Sequence, residues 1–171
     1  MKTFGNRTGS GRRRWIALLC GAALLAPVST QAAQNRWVPV NGPAQGGLVR
    51  ALFIQSGGSY AGTTLIAGSY WGGVYRSTDG GDNWTAINGG LGDLRVRTLS
   101  VVGADSSTVY AATLGGGIYR TDDAHAATPS WVRVGENTLP CALIRSMSIP
   151  NDAPATIYAS GCGTVYKSID S

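Results

Sequence analysis

The sequence predicts an all-β fold made of one four-stranded unit used about three times. Three landmarks carry that expectation. Tryptophans recur at Trp37, Trp84 and Trp131, spaced by 47 and 47 residues. Arginines recur at Arg50, Arg97 and Arg145, spaced by 47 and 48, and tyrosines at Tyr75, Tyr119 and Tyr166, spaced by 44 and 47. Between them run short β-branched and aromatic stretches bounded by Gly, Asn, Asp or Pro, which is strand and turn chemistry. No apolar period of 3.6 residues follows residue 34.

Each strand of the unit is justified by its three copies. Leu48-Val49-Arg50-Ala51-Leu52 aligns with Arg95-Val96-Arg97-Thr98-Leu99 and Leu143-Ile144-Arg145-Ser146-Met147, predicting inner strands at 48–54, 95–102 and 142–149. Thr64-Leu65-Ile66-Ala67, Thr108-Val109-Tyr110-Ala111 and Thr156-Ile157-Tyr158-Ala159 predict second strands at 63–67, 108–112 and 155–159. After a Gly-rich turn, Gly73-Val74-Tyr75-Arg76, Gly117-Ile118-Tyr119-Arg120 and Thr164-Val165-Tyr166-Lys167 predict third strands at 73–77, 117–121 and 163–168. The Trp-led outer strands fall at 37–40, 84–87 and 131–134. Four strands in about 47 residues matches one blade of a β-propeller. The expectation is therefore a partial propeller of about three four-stranded blades, each burying its apolar faces only against its neighbours.

Residues 1–33 read as a signal peptide, and 34–171 as the repeat region. Lys2, Arg7, Arg12, Arg13 and Arg14 form a positive start, Trp15 to Val28 an apolar stretch, and Thr30-Gln31-Ala32 a small-residue cleavage pattern near Ala32 or Ala33. Fourteen residues are too few to cross a hydrocarbon core of roughly 30 Å, so no membrane anchor is expected after cleavage. Arg12-Arg13-Arg14-Trp15-Ile16 loosely resembles a twin-arginine signal, leaving the export route open. Cys20 follows Leu18 and Leu19, which is not a lipoprotein pattern. A periplasmic or secreted location follows. Five of the 14 basic residues lie in the signal, so the remainder balances 9 against 9 acids and gives no support for a nucleic-acid partner.

Ser77-Thr78-Asp79-Gly80-Gly81-Asp82-Asn83-Trp84 resembles the Asp box, Ser/Thr-x-Asp-x-Gly-x-x-Trp, of BNR-type β-propellers. The second copy keeps Thr121 and Asp123 but replaces the glycine turn with residues 124–130, and the third stops at Ser168-Ile169-Asp170-Ser171. The resemblance implies that Ser77, Asp79, Gly81 and Trp84 are structural: the carboxylate accepts backbone N–H groups of its own turn, and the Trp packs between blades. The repeat region as a whole is similar to bacterial propellers related to photosystem II assembly factors and to sortilin-type receptors. Such proteins mostly serve as docking surfaces. Sialidases and some endoglucanases share the motif.

Candidate binding residues lie on the face built by loops 41–47, 68–72, 88–94, 114–117, 135–141 and 160–164. Tyr70 and Trp71 offer flat rings in a Gly-flanked loop, suited to a sugar or a partner side chain. Arg50, Arg97 and Arg145 recur on the inner strand, where guanidinium forks suit carboxylate or phosphate; bonding to neighbouring main-chain carbonyls would also make them repeat. Cys141 precedes one strand of a hairpin and Cys162 follows its partner, so a disulfide is sterically reasonable, with about 3 kcal/mol of stabilisation.

Catalysis is not expected. Glu136 is the only glutamate and has no tyrosine to pair with, as a sialidase would need. Asp93 and Asp105 do not stand at a spacing that defines a glucanase pair. His125 is the only histidine, so no metal site is expected, and no cofactor either. The favoured function is an exported non-catalytic module binding a protein or carbohydrate ligand. The alternatives are part of a glycoside hydrolase-like propeller (sialidase or glucanase type) or a truncated product without independent function. Three blades fall short of the about four to eight of a closed propeller. The chain is expected to be a piece of a longer propeller, a half-propeller closing as a homodimer, or an open solenoid, in that order.

Overall fold

The computed structural model describes residues 39, 41–43, 47–54, 63–102, 107–150 and 152–170. Two units divide at Met1–Trp37 and Val38–Ser171. The signal peptide and nearly all of the first Trp-led strand (37–40) lie outside the described residues. Among those described there is no helix, hence none long and apolar enough to cross a membrane.

The second unit is an all-β partial propeller of three blades. Strands β1 (Val49–Ile54), β2 (Leu65–Ser69), β3 (Gly73–Ser77) and β4 (Thr85–Ala86) form the first antiparallel sheet, in that order. The second is β5 (Val96–Val102), β6 (Thr108–Thr113), β7 (Ile118–Thr121) and β8 (Val132–Val134). The third contains β9 (Ile144–Ser148), β10 (Ile157–Gly161) and β11 (Thr164–Ser168). Inner strand β1 packs beside β5, and β5 beside β9.

The second strands run one to two residues further than expected. Gly68 and Gly161 look like strand-ending punctuation, yet both lie inside strands. A Cβ at Gly68 would come within 2.7 Å of Val96 Cγ1, so the missing side chain lets the neighbouring blade approach.

Apolar residues gather between blades rather than within them. Val74 and Ile87 of the first blade meet Val109, Ala111, Tyr119 and Trp131 of the second. Ile118 of the second meets Cys141, Ile144, Ile157 and Ala159 of the third. Arg76 joins the first two blades across their rim: its Nη1 donates to the carbonyls of Ala124 (2.6 Å) and Ala126 (2.8 Å).

The outer turns explain how each blade closes. Ser77 Oγ accepts the amide of Gly81 (2.9 Å) and donates to Asp79 Oδ1 (2.8 Å). Asp79 in turn accepts the Asn83 amide (2.9 Å) and the Asn83 side chain (2.8 Å). In the second blade Thr121 donates to Asp123 (2.5 Å), which accepts the Ser130 amide (3.2 Å). The capped amide is four residues beyond the aspartate in the first turn and seven in the second. The longer turn thus keeps the carboxylate lock and bulges between its ends. Trp84 Nε1 donates to the carbonyls of Gly81 and Asn41, and Trp131 Nε1 to that of Ile87 in the preceding blade (2.5 Å).

Candidate functional site

The β2–β3 turn lies at the opposite end of its strands from the Ser77–Trp84 turn. Buried Ser69 organises it, its Oγ accepting the amides of Gly72 (3.3 Å) and, at the limit, Trp71 (3.5 Å). The Tyr70 amide donates to the Leu48 carbonyl (2.9 Å), tying the turn to the start of β1. With its backbone fixed this way, Trp71 stands 62% exposed. Its ring meets Tyr70 edge-on, with centroids 4.7 Å apart and planes at 82°. Gly47 lies behind the indole; a Cβ there would sit 3.3 Å from Trp71 Cδ1.

Arg50 completes this cluster, its guanidinium carbon 5.4 Å from the Tyr70 ring centroid, within cation–π range. The inner-strand registers explain its recurrence. Val49 pairs with Ser69 and Ala51 with Gly68, so Arg50 is an extra residue without a partner. Arg97 is skipped likewise between Val96 and Thr98, and Arg145 between Ile144 and Ser146. All three repeated arginines are β-bulge residues, a position that re-aims a side chain out of the alternating pattern. Beyond that they differ. Arg97 is half-buried, with its Nε lacking a hydrogen-bond partner among the described residues. Arg145 is exposed. The bulge gives all three a shared backbone reason to recur.

A feature the sequence did not single out lies close by. Arg95 forks onto Asp93, Nε to Oδ1 at 2.9 Å and Nη2 to Oδ2 at 3.1 Å. Burial raises the Asp93 pKa, but hydrogen bonds from Arg95 outweigh it and hold the carboxyl below its ordinary value. The same bonds raise Arg95, with the field of Tyr70 adding to them. Glycines of the β6–β7 turn make room: a Cβ at Gly115 would lie 2.2 Å from Arg95 Nη2, and one at Gly116 2.9 Å from Asp93 Cβ. Arg95 was visible only as a residue of the repeated inner strand; its pairing with Asp93 depends on the second-blade glycines.

In the third blade the corresponding turn is Cys162-Gly163, with φ of 49° and 82°, a two-residue hairpin of the primed kind. Cys162 is bonded to Cys141 as expected. That bond is compatible with an extracellular or periplasmic location. Among the described residues no three metal-ligating side chains come together. Most described carboxylates are engaged: Asp79 and Asp123 in turns, Asp93 with Arg95, Asp122 with Arg120 (2.8 Å), and Asp170 with Ser168 (2.8 Å). Asp105 lies outside the described residues.

No protein-family model and no curated protein matches the chain. Among solved structures it is similar to an ancestral GH74 enzyme, with a TM-score of 0.58 and 24% identity. The match covers 81% of this chain and 19% of that one, so the chain spans about a fifth of the enzyme's length. At that identity the likeness shows the fold.

Proposed function

We propose that the chain is an exported, non-catalytic binding module of the Asp-box propeller family, holding a protein or glycan against the face built from its inner-end loops. The exposed indole of Trp71 carries this proposal. It is held by Tyr70 and backed by Gly47 without being covered, beside Arg50 and the Asp93–Arg95 pair. A rigid ring next to cations suits a sugar face bearing a carboxylate, or an acidic aromatic-contacting peptide.

Glycan-array and co-purification assays on the purified chain test it. Trp71→Ala and Arg50→Ala are each expected to weaken binding at least about tenfold, as for an exposed anchor residue, with the melting temperature unchanged. Wild-type affinity in Trp71→Ala would remove the site. A second function is favoured by the likeness to a GH74 enzyme: the chain would be part of a hydrolase-like propeller, with catalytic carboxylates supplied elsewhere. Release of reducing ends from polysaccharides by the purified chain together with a fragment carrying those carboxylates, and by neither alone, would support it over the binding module.

A further inference from the structure

The junction between the first two blades is filled by a tryptophan, and the next junction holds a cleft where its counterpart would stand. Trp131, 3% exposed, leads β8 and packs among Val74, Ile87, Leu91, Val109, Ala111 and Tyr119. One repeat later these residues become Ile118, Val134, Leu139, Ile157, Ala159 and Tyr166. Those six line a cleft of about 470 Å³ between the second and third blades. The cleft is therefore the third copy of a tryptophan socket. Beside it β11 pairs only with β10 among the described residues, where β3 and β7 each have an outer partner.

We propose that the Trp37-Val38-Pro39-Val40 segment of a second copy of this chain fills the socket and adds to β11 as the fourth strand. Three observations select that occupant. The segment repeats Trp84-Thr85-Ala86-Ile87 and Trp131-Val132-Arg133-Val134, which supply β4 and β8. In the register of Tyr75 with Ala86 and Tyr119 with Arg133, Pro39 falls opposite Tyr166 and Trp37 opposite Ser168. The Ile87 amide donates inward to Val74. N–H groups alternate along a strand, so that of Ala86, the position equivalent to Pro39, points away from the sheet. Proline is tolerated there and blocks further strand addition.

The two end blades supply the remaining evidence. Leu48, Val49, Leu52 and Ile54 on the first, and Val165 and Ile169 on the third, are 49–70% exposed, while no residue of the middle inner strand β5 is exposed. Two copies arranged so that each first blade meets the other's third blade would cover both surfaces in a closed two-fold assembly. Its six blades, twice the three seen here, fall within the about four to eight of closed propellers.

Sedimentation of the purified chain over a range of concentrations, alone and with a synthetic peptide of residues 35–42, decides the matter. The expected result is a dimer that Trp37→Ala weakens at least about 30-fold, the loss of one hot-spot side chain. The peptide should convert the wild-type dimer to loaded monomer, and a Trp37→Ala peptide should not. This competition needs no folded variant. A chain monomeric at all concentrations would overturn the proposal, including one that still captures the peptide, since its socket would then be filled from another source. So would a dimer indifferent to both Trp37→Ala and the peptide.

Discussion

At the scale of single residues, Ser77 and Asp79 show how a short motif closes a blade. Ser77 is 1% exposed and accepts the Gly81 amide while orienting Asp79. Ser77→Ala leaves a buried N–H unpartnered, and urea unfolding should register a loss of about 1–3 kcal/mol. Asp79 has a pKa lowered to about 2, first by the Asn83 amide, then by the Asn83 and Ser77 side chains. A folded-state pKa below the ordinary value of 3.8 means the carboxylate stabilises the fold above about pH 4, and the contribution fades as pH falls toward 2. Comparing wild type with Asp79→Asn across pH 2–6, the difference in melting temperature should be largest at the neutral end and shrink on acidification. A constant difference would remove the charge from the explanation. Arg97 behaves oppositely. Its half-buried side chain leaves Nε without a partner among the described residues, a cost that Arg97→Met should relieve. The variant is expected to unfold at equal or higher urea concentration, and to bind anionic ligands more weakly if the bulge arginines serve recognition.

At the scale of elements, the repeat made nearly every strand legible, because Trp, Arg and Tyr landmarks mark one position in each copy. Strand ends were less so. Gly68 and Gly161 read as breaks, but they are where a neighbouring blade or the cross-linked Cys141 needs space, which one repeat alone does not display. The bulges were hidden for a similar reason: Arg50, Arg97 and Arg145 are ordinary strand residues by composition, and only cross-strand register marks them as extra. Tyr70 and Trp71 were legible as a loop pair, whereas the Arg95–Asp93 fork required the second-blade glycines to be placed beside it. The β10–β11 hairpin gives a prediction of its own kind. Cys162 takes a left-handed φ of 49°, which costs a non-glycine residue about 1–2 kcal/mol. Both Cys141→Ala/Cys162→Ala and Cys141→Ala/Cys162→Gly lose the cross-link, worth about 3 kcal/mol. The glycine variant should nevertheless be the more stable of the two, by about 1 kcal/mol in urea unfolding. Equal stabilities would mean that the turn relaxes once the disulfide is gone.

At the scale of the whole molecule, stability is a chain of junctions, since each blade's apolar side is finished by the next. The first junction rests on Trp131 and on Arg76 reaching the Ala124 and Ala126 carbonyls. The second has the disulfide nearby but lacks a tryptophan among its described residues. Trp131→Ala should cost about 3–5 kcal/mol, the usual range for truncating a buried large aromatic, and the loss should be local. Because Trp131 contacts the first blade while Tyr110 and Ile118 face the third, amide exchange should accelerate in β1–β4 more than in β9–β11. The opening free energy of the third blade should stay closer to its wild-type value, held by Ile144, Ile157 and the Cys141–Cys162 bond. If protection falls equally in all three sheets, the blades unfold as one cooperative body. The junctions would then be coupled more tightly than nearest-neighbour packing allows.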